Sequence, residues 1–304
     1  MSSAAGVAPE GSGSGPGEAR ILDRGYRRYD GPRRGRAGAV RSLAASSALR
    51  ALGLRRTFWA KVFPLASAGI AYLPAAVFVG VAALLPDALT DEGNILPTYP
   101  DYYGFITAAI VVFVALVGPE VLCPDRRNGM LGLYLASPLT RDTYLLAKVL
   151  AVVPVLALVT LGPPLLLLVG LTFADAGPDG VGDFVVLLVR MAVGGVAISA
   201  LYTALSLAAA SLTDRRAVAS AAVILVLLVS SVTTAVLVED LGADVNLYLL
   251  NVFFIPFELV QRIYGHVGGE PRLGTVALLG ANAAWTLVAA AVVRWRYARL
   301  TVTR

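Results

Sequence analysis

Six apolar runs, each about as long as a helix that crosses a bilayer, constrain this chain more than any other feature. A hydrocarbon core takes about 20 helical residues. The runs go from Val62 to Leu85, Gly104 to Leu122, Leu145 to Phe173, Phe184 to Leu212, Ala217 to Val238 and Leu273 to Val293. Backbone groups in lipid must be paired within their own segment, so runs of this kind fold as helices. Composition agrees. Hydrophobic residues make up 57% of the 304 residues and charged ones 15%, against about 45–50% and about 25% in soluble domains. The expected fold class is an all-α polytopic membrane protein with six transmembrane helices, residues 62–293 forming the transmembrane domain. Two additions are expected: an amphipathic interfacial helix before the first span and an outer re-entrant hairpin before the last.

The positions of Lys and Arg orient these spans. With the residues before the first span inside, 22 of the 25 basic residues fall on that side. Arg190, Arg262 and Arg272 fall at the other, where the first loop also carries Asp87, Asp91, Glu92 and Asp101. Both termini are thus expected in the cytoplasm, with residues 294–304 as a short basic tail. No apolar core of a secretory signal lies in the first 60 residues,. Residues 1–36 read as a disordered basic tail, because their opening is rich in Gly, Ser and Pro,.

Between that tail and the first span, residues 37–61 carry a narrow apolar stripe. Val40, Leu43, Ser47, Ala51, Leu54 and Phe58 recur at spacings of three and four,. Arg41, Arg50, Arg55, Arg56 and Lys61 lie beside or opposite it. The pattern predicts an amphipathic helix at the cytoplasmic interface, its arginines on anionic lipid. The alternative is a helix packed by the same stripe on a soluble partner. The basic stretch upstream is expected on topology alone, and no nucleic-acid partner is inferred from it.

Val245 to Ile263 is apolar enough to be considered a seventh span. Asn251, Pro256 and Glu258 interrupt it, and a seventh crossing would move the basic tail outside. Residues 239–272 are read instead as an outer hairpin at the headgroup boundary. Tyr248, Phe253, Phe254, Phe257 and Tyr264 suit that depth, and Glu258 and Arg262 are spaced to pair.

The remaining polar interruption is the loop 123–148. Asp125, Arg126 and Arg127 open it and Gly129 gives a stop. Met130, Leu131, Tyr134 and Leu135 share one side of a short helix, a spacing that suits a groove. Ser137 and Pro138 read as a helix cap followed by a first-turn proline, and Arg141 and Lys148 straddle the entry to the third span. The plainer reading is an amphipathic connector lying on lipid.

This loop resembles the signature of the ABC-2 type permease family, the integral-membrane halves of many bacterial ABC exporters. Asp125, Arg126, Gly129, Leu131, Leu135, Ser137, Pro138, Leu139, Thr140, Arg141, Tyr144 and Lys148 fit that pattern. Met130 and Gly132 depart from the commoner Thr and Glu. The six-span layout is similar too, and GYRRYDGPRRGR resembles the opening of actinobacterial members. The resemblance implies a coupling helix that docks on a separate ABC ATPase subunit, which binds ATP and Mg. It further implies pairing with a second copy or a similar permease in the bacterial cell membrane. The residues agree that this chain is not itself an ATPase. A P-loop needs Gly-Lys-Ser/Thr, and the only two lysines sit in Ala60-Lys61-Val62 and Ala147-Lys148-Val149.

Other classes find little footing. An ion-driven carrier usually keeps ionisable groups within the bilayer, whereas Glu120 and Arg190 lie near span ends. That scarcity points to an amphiphilic or apolar cargo, or to one that crosses between protomers. One histidine, His266, and one cysteine, Cys123, offer neither a metal site nor a nucleophile–base pair,. Small residues crowd the fourth span, from Ala192 to Ser211, and serve either a dimer interface or packing within the chain. A non-transporting membrane scaffold of the same fold remains the alternative.

Overall fold

The computed structural model describes residues 35–54, 58–84, 96–270 and 272–300. The tail 1–34, the acidic stretch with Asp87, Asp91 and Glu92, Arg55 and Arg56, and residues 301–304 lie outside the described residues. Helices α1 (Gly35–Ala51), α2 (Phe58–Leu84), α3 (Tyr102–Arg127), α4 (Met130–Leu135), α5 (Arg141–Thr160) and α6 (Gly162–Phe173) form the first half. Then come α7 (Val181–Leu212), α8 (Arg216–Ala235), α9 (Phe254–Ile263) and α10 (Thr275–Arg299). Among the described residues there is no strand. Six helical stretches are long and apolar enough to span a membrane: 64–84, 102–127, 141–173, 181–212, 216–240 and 275–299. Among the described residues each expected run is helical over most of its length, with Leu273 and Gly274 left before α10, and several helices extend past their run by a turn of polar residues.

α3 is the centre of the bundle. α1, α2, α5, α7 and α8 all pack on it, and residues from Tyr102 to Asp125 are buried at near-helical intervals. Its approach to α7 depends on Gly118, where a Cβ would collide with the Ser206 side chain and backbone. Ser206 in turn donates to the Val114 carbonyl at 2.7 Å. Small residues let spanning helices pack this closely. The same holds for the rest of the small-residue face of α7. Gly194 faces Val260, Gly195 faces Leu161, and Ser199, Ala208, Ala210 and Ser211 are buried. Much of that face is consumed within the chain.

The third span is two helices. Pro163 and Pro164 sit in the first turn of α6 and lack the N–H groups that would continue α5, so the chain breaks at Leu161. The Tyr72 hydroxyl donates to the Leu158 carbonyl beside this break, at 2.9 Å. α8 is the least enclosed span, burying only Ala219, Val223, Leu227 and Thr234.

Two expectations change in detail. α1 ends at Ala51, and Phe58 opens α2, so Phe58 does not extend the α1 stripe. Leu54, in the turn between them, is exposed. The rest of the stripe faces protein: Leu43, Ser47 and Ala51 are buried and Val40 half-buried, against α5 and α3. The stripe is thus covered by the chain's own spans rather than by lipid.

The second change lies beyond α8. A π-helical turn (Val236–Asp240), a 3-10 turn (Val245–Leu250) and α9 fold back over α7 and α10. Tyr248 and Tyr264, expected at a headgroup boundary, are instead buried in protein. The Tyr248 hydroxyl donates to Glu239 at 2.6 Å, and Trp285 Nε1 donates to the Leu249 carbonyl at 3.1 Å.

Candidate functional site: the polar loop and the ion cluster beneath it

α3 ends in charge. Asp125 lies in its last turn yet is 1% exposed, so its carboxylate needs partners close by. Lys148 Nζ, from α5 and itself fully buried, lies 2.5 Å away. Arg50 Nη1, from α1, is 2.7 Å from the other oxygen, and the Tyr144 hydroxyl donates to the carboxylate at 3.1 Å. Burial works against the Arg50 charge, but the hydrogen bond and attraction of Asp125 outweigh it and raise its pKa. Lys148 also donates to Ser47 Oγ at 2.9 Å and to the Val121 carbonyl at 3.2 Å. One buried cluster therefore ties α1, α3 and α5 together.

Aromatic rings extend it. Tyr134 of α4 lies 5.7 Å from Tyr144, and Tyr144 lies 5.7 Å from Tyr297 of α10, centroid to centroid. Lys148 Nζ is 5.2 Å from the Tyr144 ring and 5.8 Å from the Tyr134 ring, within the range of a cation–π contact. The short helix α4 is thereby attached through one side chain to the charge cluster and to the last span.

The remaining loop charges are also engaged. Arg126 donates to the Ser211 carbonyl and, at 3.1 Å, to that of Thr213, satisfying carbonyls that the end of α7 leaves open. Cys123 Sγ, fully buried, donates to the carbonyls of Ala210 at 3.8 Å and Thr213 at 3.6 Å. Arg141 donates to the carbonyls of Ala298 at 2.6 Å and Leu300 at 3.0 Å. Arg36 reaches the Pro138 carbonyl at 3.4 Å. Both ends of the described chain therefore lie beside this loop.

These contacts sort the residues singled out from sequence. Asp125 is interior and is not an external contact. Arg126, Tyr134 and Arg141 brace the chain. Met130, Leu131 and Leu135 are half-buried, with Leu131 packed on the core. Arg127, Gly129, Ser137 and Pro138 face out. Gly129 holds φ +64°, the left-handed region open to glycine, and this turn separates α3 from α4. The expected cap at Ser137 lies three residues too early. Thr140 caps α5 instead, in a reciprocal capping box with Thr143, while Ser137 Oγ donates back to the Tyr134 carbonyl at 2.5 Å.

Leu133 escaped the sequence reading. It is 69% exposed on the outer side of α4, opposite the face chosen from sequence. Tyr297 escaped it too, while Tyr144 and Lys148 entered only through the family pattern, without a role of their own. A lysine within an apolar helical run was the available signal, because such a charge requires a partner.

At the far end of the bundle, Glu258 and Arg262 pair at 3.1 Å. Glu258 is buried and also accepts from the Gly269 N–H at 2.9 Å. Phe254 and Phe257 are half-buried; Phe254 packs on Tyr248, with centroids 5.1 Å apart. This pair shapes the return of the hairpin.

One more surface bears on function. α5, α7 and α10 enclose a groove of about 320 Å³, lined by Leu146, Val149, Val153, Ala204 and Leu207 among others. Asp142 and Arg294, 3.2 Å apart, also line it.

Residues 63–295 match the family described as ABC-2 family transporter protein. No curated protein matches the chain.

Proposed function

Since the chain belongs to the ABC-2 transporter family, and is a multi-pass transmembrane permease, we propose that a separate ABC ATPase subunit drives it through the loop 125–148. The observation that carries this reading is the two-sidedness of α4. Its inner side holds Tyr134 against Tyr144 and Lys148, while Leu133 stands outward, 69% exposed. An apolar side chain on the outer side of a short helix fits a groove on a partner. Arg127, Ser137 and Pro138 border it and supply the polar rim.

Displacement of α4 by the ATPase is transmitted inward through the tyrosine rings to α5 and α10. Asp125 passes it on to α1 and α3. The cluster is stiff because its charges are buried and close, so α4 does not move without its neighbours. ATP and Mg bind in the partner. The complex holds two permease chains, either two copies or this chain with a similar one, and two ATPases, in a bacterial cell membrane with both termini cytoplasmic. The cargo is amphiphilic or apolar and is exported. The apolar groove of α5, α7 and α10 supports that class.

Leu133→Asp tests the docking face. In detergent extracts this variant should lose the co-purifying ATPase while unfolding at the wild-type temperature. In proteoliposomes with the ATPase, ATP-dependent flux should fall with it. Undiminished ATPase recovery and flux from Leu133→Asp would sink the docking assignment. ATPase binding without any flux would favour the scaffold reading.

A further inference from the structure

At the end of the bundle opposite the loop 125–148 lies a second cavity, of about 310 Å³. The segment 96–100 walls it on one side, the ends of α6 and α7 on another, and the chain after α9 closes it. Its chemistry is mixed. Leu171 and Leu187 give it an apolar wall, and Arg190, Tyr99, Tyr264 and His266 give it donors. No carboxylate lines it among the described residues.

Two of these groups lack what they need. Arg190 is an arginine two turns inside α7, yet among the described residues its only polar partner is the Tyr264 carbonyl, 3.2 Å from Nη1. The rest of its donor fork has no partner among the described residues. Tyr264 is 5% exposed, and its hydroxyl is buried without a hydrogen-bond partner among the described residues. A buried hydroxyl left unpaired costs about 1–3 kcal/mol, so this arrangement asks for an acceptor. Burial pushes the Tyr264 phenol up from its ordinary value, which keeps it a donor. Asp101, which follows the 96–100 segment in sequence, is already engaged. It accepts from Thr98 at 2.5 Å and from Gln261 at 3.1 Å.

We propose that this cavity binds an oxyanion headgroup of phosphate type, held by the Arg190 fork and the Tyr264 hydroxyl, with the adjoining apolar chain against Leu171 and Leu187. Arginine suits this task because its planar donors match phosphate oxygens two at a time. The apolar wall selects an amphiphile over a bare ion. This site stands apart from the loop and does not depend on how the loop is driven.

Native mass spectrometry of the purified full chain, titrated with phosphatidylglycerol or phosphatidylcholine in a neutral detergent, tests it. One tightly held phosphatidylglycerol per chain is expected. Arg190→Gln should weaken it about tenfold or more, the size of a lost charge-assisted contact. Arg272→Gln, an exposed arginine outside the cavity, should leave it unchanged. Tyr264→Phe provides the reading that a packing role could not give, since its hydroxyl has no hydrogen-bond partner among the described residues. This variant should unfold at or above the wild-type temperature and yet bind phosphatidylglycerol several-fold more weakly, as expected for one lost hydrogen bond. Competition by inorganic phosphate at the same concentration would assign the site to a free anion; failure to compete assigns it to the lipid headgroup. Wild-type binding by both Arg190→Gln and Tyr264→Phe overturns the proposal, as does equal binding of the two lipids.

Discussion

Removing the Asp125 carboxylate should damage the chain more than removing either of its cationic partners. Asp125→Ala leaves Lys148, fully buried, facing only Ser47 Oγ, the Val121 carbonyl and two tyrosine rings among the described residues. Breaking a buried ion pair from one side costs about 3–5 kcal/mol. Arg50→Ala is milder. Asp125 keeps Lys148 at 2.5 Å and the Tyr144 hydroxyl, and the Arg50 side chain is already 27% exposed, so about 1–2 kcal/mol is expected. Lys148→Met falls between them, because Asp125 retains Arg50 and Tyr144. The informative variant is Asp125→Ala combined with Lys148→Met. Neither buried charge is then stranded, and replacing a buried pair by apolar groups is often close to neutral. The double variant should be no less stable than Asp125→Ala alone, with a coupling energy of about 2 kcal/mol or more. Sodium dodecyl sulfate titration of the protein in mixed micelles, followed by circular dichroism, measures all four states. Additivity within about 0.5 kcal/mol would show that the two charges do not act as a pair, and would remove the link between α1, α3 and α5.

Enlarging Gly118 should also be costly. Gly118→Val forces α3 away from Ser206, for a loss of roughly 1–3 kcal/mol, whereas Gly182, with open space around it, should accept Ala with little change in the same titration. Tyr248 should titrate late: its hydrogen bond to Glu239, with burial second, pushes the phenol up to about 12. A raised folded value means that this contact is fully present below the ordinary tyrosine value of about 10 and is lost as pH rises through 12. Absorbance titration of wild type against Tyr248→Phe should therefore show the missing phenolate step near 12, and a step near 10 would refute the assignment. Thr140→Ala removes the cap of α5 and should lower stability by about 1 kcal/mol, while Ser137→Ala should have a smaller effect; equal effects would mean the cap is shared.

The spans were legible because their signal is long and redundant. A run such as Leu145 to Phe173 remains apolar whichever residues end it, and even its internal break was marked by Pro163 and Pro164. The loop was legible only in part. Polarity flagged Asp125 to Lys148 as a unit, but the same polarity made Asp125 look external. Its burial is set by Arg50, some 75 positions earlier, and by Lys148, and sequence gives no distance between such residues. Ser137 illustrates a different failure. Ser-Pro and Thr-Arg are both acceptable helix openings, and the choice fell to Thr140 because Thr143 completes a reciprocal cap. The α1 stripe was read with the correct period, but periodicity says only that a face is covered, not whether lipid or protein covers it. Tyr248 and Tyr264 repeat that ambiguity, since an aromatic with a polar tip suits a headgroup boundary and a buried hydrogen bond equally well.

The burial of Cys123 has an experimental consequence. It is the chain's single thiol, fully buried and turned toward the carbonyls of Ala210 and Thr213. A membrane-impermeant maleimide should pass it by, so the natural sequence is its own silent background for labelling. A cysteine placed at Leu133, at exposed Asp179 or at Val267 would then be the one reactive site. Which side of an intact cell reaches each of them would fix the orientation of the whole bundle from three single substitutions.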